Sequence, residues 1–229
     1  MPPKNTLGEK IWAIVLPMNC AGCDREGDWI CRLCWRRLVI LPERICALCA
    51  KSGENGLCPA CRTRTKLDGL VALLNYGDLA VSRIIRRAKY DGQFAALQFL
   101  VNGLATKIIR RLTVEESLVI PVPLAKGRLR QRGFNQAMVI ARAISDLSHL
   151  WRPVEMLNRV RETESQTTLR RSERLKNMTG AFAAKRRLAG QTVILCDDVA
   201  TTGATLTAAA KILRRAGAGA IWGFVIAHD

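Results

Sequence analysis

From residue 67 onward, short apolar runs alternate with amphipathic stretches of helical period, and that order predicts an α/β architecture. Residues 67–76 (LDGLVALLNY) read as a strand, and residues 80–90 carry apolar side chains at helical spacing with Arg83, Arg86 and Arg87 on the other face. A second helix is predicted over residues 93–112. Residues 118–122 (LVIPV) form a short buried strand that Pro121 and Pro123 end, since proline donates no ladder hydrogen bond and restricts its predecessor. Helix is predicted over 133–147, a candidate strand over 154–158, and a polar, Arg-rich segment over 167–176 that suits a helix or a loop. Residues 192–196 (TVILC) give the clearest strand, followed by a turn, a helix over 203–216 and a last strand over 220–227. Such alternation builds a mostly parallel sheet flanked by helices.

Before residue 62 the pattern is different: short loops, little apolar material and eight of the chain's nine cysteines. They form four C-x-x-C pairs, Cys20/Cys23, Cys31/Cys34, Cys46/Cys49 and Cys58/Cys61. Each turn brings two thiolates to one side, and two turns complete the tetrahedron that Zn2+ prefers, so eight ligands suffice for two closed structural sites. A segment this poor in apolar residues folds only if metal binding and folding are coupled. A redox dithiol needs one pair rather than four; iron–sulfur ligation is the competing metal reading, and both sequential and cross-braced pairing fit the spacing. The expected organisation is a small zinc-ribbon unit over residues 1–64 and an α/β unit over 65–229.

Composition narrows the partners. A chain of 229 residues that is 49% hydrophobic affords a sizeable core, and no apolar run reaches the roughly 18 residues of a membrane span, which excludes membrane insertion. Lys and Arg total 36 against 19 Asp and Glu, a formal charge of +17 that suits anionic ligands such as nucleic acid or diphosphates. The first twenty residues hold Lys4 and Lys10 before a short apolar stretch broken by Pro17, with no small-residue cleavage site, so the expected location is cytoplasmic.

The strongest chemical signal is residues 193–206 (VILCDDVATTGATL). A buried strand ends in Asp197 and Asp198, then Ala200, Thr201, Thr202, Gly203, Ala204 and Thr205 lead into a helix. Backbone N–H groups and the positive helix end suit a phosphate, the threonines add hydroxyl donors, and Gly203 permits close approach. The two carboxylates beside it can accept hydrogen bonds from sugar hydroxyls, which together describe a pocket for a ribose 5-phosphate. An ordinary strand-to-helix turn with a capping threonine has no use for adjacent acids beside three threonines.

This run resembles the phosphoribosyl diphosphate (PRPP) loop of type I phosphoribosyltransferases. Residues 119–124 (VIPVPL) with Arg128, Arg130, Arg132, Gly133, Phe134, Asn135 and Gln136 resemble a signature of the ComF/GntX family. So does the run of Arg159, Arg161, Thr163, Gln166, Leu169, Arg174, Asn177, Gly180 and Phe182, as do Ala88-Lys89-Tyr90 with Gly92 and the paired cysteines. Cys196, where the family has an aliphatic residue, and Ala125-Lys126-Gly127, in place of a more basic stretch, depart from it.

The resemblance implies a type I phosphoribosyltransferase fold behind a double zinc ribbon, with PRPP and Mg2+ as ligands and an acceptor that the sequence does not identify. It implies Asp197 and Asp198 at the ribose hydroxyls, residues 200–205 at the 5-phosphate, and Pro123, Leu124, Arg130 and Arg132 at the diphosphate. Arg159, Arg161, Gln166, Arg174 and Asn177 would belong to a closing lid. A second implied role is an accessory of DNA uptake and natural transformation that binds single-stranded DNA beside a DNA-uptake helicase. Arg83, Arg86, Arg87, Arg110 and Arg111 are read instead as a solvated helix face or a nucleic-acid patch, Cys196 as a packed thiol, and His149 and His228 receive no role.

Overall fold

The computed structural model describes residues 18–161 and 178–229. Its first part is built twice over. Cys20 and Cys23 close one turn and Cys46 and Cys49 another; in each, the residue after the second cysteine, Asp24 or Ala50, takes a positive φ of 58° and donates its N–H back to the first cysteine's carbonyl, at 2.8 and 2.9 Å. In each, the third cysteine then caps a short helix: Cys31 before α1 (Arg32–Arg37) and Cys58 before α2 (Pro59–Thr65).

The main sheet follows from strands apolar on both faces. β1 (Gly69–Asn75) leads into α3 (Leu79–Tyr90), capped by the Asp78 carboxylate, then α4 (Ala95–Gly103) and α5 (Ala105–Arg111). β2 (Ser117–Pro121) is followed by α6 (Lys126–Arg132), α7 (Gln136–Ser145) and the short β3 (Trp151–Pro153). β4 (Leu157–Arg159) and β5 (Phe182–Ala184) pair antiparallel as a separate ribbon. β6 (Thr192–Ala200), α8 (Ala204–Arg215) and β7 (Ile221–His228) complete the chain. The five-stranded sheet runs β1-β7-β6-β2-β3, every pairing parallel. Among the described residues no helix is long and apolar enough to cross a membrane.

Several elements differ from expectation. The helix expected over 93–112 is two, because Leu104 turns out of helical geometry and buries its side chain where α4 ends and α5 begins. Of the candidate strand over 154–158 only Leu157 and Asn158 are strand, the start of β4, which pairs in the separate ribbon and not in the main sheet. The strand expected to stop at Cys196 continues to Ala200, because β7 supplies partners as far as His228. Helix α6, too polar for an apolar period, was not foreseen. The segment 167–176 lies outside the described residues.

The cysteine-rich segment is welded onto the sheet. Ala21, Trp29 and Ile30 are buried among the α3 and α4 side chains, while Leu48, Leu57 and Cys61 join the core under α8 on the opposite face. It also covers the outer edge of β1: Leu41 N–H donates to the Leu73 carbonyl at 2.9 Å and Leu70 N–H to Asn55 at 2.8 Å, so this edge does not stand open. Most of the arginines read as a solvated face do this work. Arg83 donates to the Ala21 carbonyl and the Asp24 carboxylate, Arg87 to the Asn19 carbonyl, and Arg111 to the carbonyls of Leu41 and Ala72. Arg110 and Arg111 share Glu43, and Arg86 stays exposed. Helical spacing gives a polar face, but it does not show that another segment of the chain lies across it.

Candidate functional site

Strand order places the site before any side chain is considered. The chain moves from β2 outward to β3, and from β6 the opposite way to β7, so the connections diverge at the carboxyl ends of β2 and β6, the crevice where open parallel sheets bind ligands. The two ends are tied by the Val122 N–H donating to the Cys196 carbonyl at 2.9 Å. Pro123 and Leu124 leave one strand there; Asp197 and Asp198 stand on the other.

Asp198 is buried, 9% exposed, and its Oδ2 lies 2.7 Å from Lys89 Nζ at the end of α3. Burial works against the lysine's charge, yet Asp198 and, more weakly, Asp197 outweigh it and raise its pKa. Asp197 is pushed up to about 7, first by burial and then by the Asp198 charge, against the Asp198 backbone N–H and the cations Lys89 and Arg159. A carboxylate raised this close to neutrality beside a second acid and a lysine marks a functional site more often than a structural one. Lys89 is the residue that sequence reasoning missed: the Ala88-Lys89-Tyr90 motif was visible, but nothing along the chain shows that α3 ends against β6.

The loop after β6 leads into a helix N-terminus with no acid beside it. Gly203, at φ 73°, caps α8, whose first turn holds no acid and whose leading N–H groups lack carbonyl partners within the helix. Thr202 is buried and its hydroxyl accepts the Ala204 N–H at 3.3 Å, so it braces the loop, whereas Thr201 and Thr205 are partly exposed.

A cleft of about 880 Å³ opens beside β2, lined by Pro123, Leu124, Phe134, Arg159 and Arg161 among others. Arg159 lies over the Phe182 ring at 5.5 Å, and Arg161 donates to the Thr179 carbonyl at 2.8 Å. Arg130 and Arg132 do not line this cleft. Arg130 is exposed on α6, and Arg132 reaches Gln136 at 3.3 Å and the Tyr90 ring at 5.4 Å. Gln166, Arg174 and Asn177 lie outside the described residues. Cys196 is fully buried, and burial raises its thiol pKa, as a packed thiol requires.

The eight cysteines gather in sequence-adjacent fours, Cys20, Cys23, Cys31 and Cys34, then Cys46, Cys49, Cys58 and Cys61, with the sulfurs of each group within 4.8 Å of one another. Sulfur contacts of 3.7 Å (Cys23 to Cys31), 3.6 Å (Cys49 to Cys58) and 3.7 Å (Cys49 to Cys61) are far longer than the ~2.05 Å of a disulfide. They match the edge of a tetrahedron whose centre holds an ion ~2.3 Å from each thiolate. Sequential pairing, left open by the spacing, is what the fold adopts, and both tetrads suit a zinc ion.

Residues 95–228 match the phosphoribosyl transferase domain family. Similarity to individual proteins extends further: 29% identity to Competence protein ComFC of Bacillus subtilis (strain 168), over 84% of this chain and 81% of the relative. DNA utilization protein YhgH of Escherichia coli (strain K12) is 28% identical over 84% of this chain and 93% of its own length. Competence protein F of Haemophilus influenzae is 30% identical over 89% of this chain and 88% of its own. With the acidic pair and the threonine-rich turn after β6 inside the matched region and two cysteine tetrads ahead of it, the chain belongs to the ComF family of phosphoribosyl transferase domain proteins.

Proposed function

We propose that the chain binds PRPP and transfers its phosphoribosyl group to a nitrogen acceptor. The observation that carries this reading is the acidic pair at the switch point, Asp198 held by Lys89, followed at once by the Thr201–Thr205 loop at the α8 N-terminus. Residues 200–205 would seat the 5-phosphate, Asp197 and Asp198 the ribose hydroxyls, and the backbone at Pro123 and Leu124, with Arg130 and Arg132, the diphosphate. In the transfer, the C1–oxygen bond breaks with its electron pair leaving on the diphosphate, while the acceptor nitrogen bonds C1 and releases its proton to solvent. Such a step needs positioning and stabilisation of developing charge more than proton chemistry. The two carboxylates are hard oxygen donors of the kind Mg2+ takes, and Mg2+ would supply charge neutralisation at the diphosphate. Arg159 and Arg161 at the cleft, with Gln166, Arg174 and Asn177, would form a lid.

Zinc in both tetrads, a ribbon unit over residues 1–64 beside a transferase unit over 65–229, and a cytoplasmic location complete the proposal. Titrating the zinc-loaded protein with PRPP and Mg2+ tests it: saturable binding that disappears in Asp197→Asn with Asp198→Asn supports it, and no binding by the parent protein overturns it.

A second reading, a non-catalytic accessory that handles single-stranded DNA with an uptake helicase, is favoured by the charge of +17 and by relatives named for competence and DNA utilization. Binding to single strands would then weaken steeply with salt.

A further inference from the structure

Among the described residues two aromatic side chains are exposed, Tyr90 at 67% and Phe94 at 50%, and Phe134 is half-buried. The two exposed rings stand at the junction of α3 and α4, where Gly92, at φ 69°, turns the chain. They are not isolated. The Phe94 ring lies 5.4 Å from Phe134, tilted by 59°, and the Arg132 guanidinium lies 5.4 Å from the Tyr90 ring. Side chains from two distant stretches of sequence therefore meet as two neighbouring pairs along one face, Tyr90 with Arg132 and Phe94 with the half-buried Phe134, beside the cleft that Phe134 helps line.

Exposed rings do nothing for the core, and clustered ones mark a binding surface. Their surroundings select the ligand. Helix α6 carries Lys126, Arg128, Arg130 and Arg132 in seven residues with no acid. Arg142, Arg159 and Arg161 add charge along the cleft. Cations tracking beside exposed aromatic faces are the arrangement that holds a strand by its phosphates while stacking its bases. An open ridge offers a base one face only, whereas a site for a free base encloses most of its ligand, so the ridge suits a polymer whose phosphates add to the binding. A duplex keeps its base faces in its own stack.

We propose that Tyr90, Phe94 and Phe134, with Arg132, form a stacking ridge for bases of single-stranded nucleic acid, the phosphates lying along α6 and the cleft. This deepens the second reading above and rests on it, not on phosphoribosyl transfer.

The test is fluorescence anisotropy with a labelled oligothymidylate, an abasic deoxyribose-phosphate strand of equal length, a duplex and free thymidine monophosphate. The parent protein should prefer the base-bearing strand to the abasic one. Phe94→Ala and Tyr90→Ala should each weaken binding of the base-bearing strand by roughly 5- to 150-fold, the worth of one base–aromatic stack. Abasic binding and the salt slope should not change, and Phe94→Trp should restore affinity with its fluorescence quenched by the strand. Equal binding of abasic and normal strands, or affinity unchanged in both alanine variants with their folds intact by circular dichroism, overturns the ridge. Thymidine monophosphate binding as tightly as the strand overturns the polymer. A PRPP titration of the same proteins separates the two readings, since the Phe94 variants should keep PRPP binding and Asp197→Asn should keep strand binding.

Discussion

Leu48 packs directly against Gly203: a Cβ on the glycine would lie 3.0 Å from Leu48 Cδ1. Leu48 sits between Cys46 and Cys49, so the second cysteine turn braces the loop proposed to hold the 5-phosphate. Metal loss there should reach a ligand that no cysteine touches. Cys49→Ser is expected to weaken PRPP binding by about tenfold or more, with Cys23→Ser weaker in effect, by calorimetric titration; equal effects would remove the Leu48 contact as the cause. Gly203→Ala should also lose binding, since a left-handed backbone costs a side-chain residue roughly 1–2 kcal/mol even before it meets Leu48.

Lys89 is the cation in direct contact with Asp198, both side chains being less than a fifth exposed. Lys89→Met leaves a carboxylate buried without its partner, a change that costs roughly 3–5 kcal/mol in comparable pairs. Lys89→Met with Asp198→Leu should regain most of that stability and still bind no PRPP. Denaturant melts of the single and double variants, read as a thermodynamic cycle, check it; a double variant no more stable than Lys89→Met would deny the pair its coupling.

Much of this site was legible in sequence. Residues 193–206 announce a strand, two acids and a threonine-rich turn into a helix because these are contiguous, and the cysteine spacing announces two tetrads able to hold a metal for the same reason. What sequence hid depends on elements meeting across space. Lys89 reaches Asp198 only because α3 ends against β6, Leu48 reaches Gly203 only because the cysteine segment folds over α8, and α6 has no apolar period to betray it. The strand at 192–196 looked complete because the apolar run ends there, while its hydrogen bonds continue through Asp197 and Asp198 to Ala200.

Asp197 gives the unliganded protein a pH signature. Its pKa, raised to about 7, lies above the ordinary carboxylate value of 3.8, so the folded state holds a proton that the unfolded state has released over that interval. Stability from this group is therefore full below pH 4 and is lost as pH rises through 7. Partial solvent screening reduces the effect to roughly 1–2 kcal/mol. Asp197→Asn should flatten this part of the melting-temperature profile between pH 4 and 7 and stabilise the unliganded protein at pH 8; an unchanged slope would place the titration elsewhere.

Arg111 joins three parts of the fold through one guanidinium: Nε to Glu43 at 3.1 Å, Nη1 to the Ala72 carbonyl at 3.3 Å and Nη2 to the Leu41 carbonyl at 2.6 Å. Its side chain is only 12% exposed, so these bonds are shielded, whereas the neighbouring Arg110 at 74% meets Glu43 in water. Arg111→Ala strips donors from two carbonyls at the β1 edge and should cost roughly 2–4 kcal/mol, given that hydrogen bonds to a charged group are worth about 1.5–3 each. Arg111→Lys should recover little of it, because a single ammonium cannot reproduce the fork. Arg86→Ala, on the exposed side of α3, should change stability by no more than about 0.5 kcal/mol. Melting curves at low and high salt separate the two causes: the Arg111 deficit should persist in high salt, since buried bonds to carbonyls are poorly screened, whereas a deficit confined to low salt would assign it to the Glu43 pair alone.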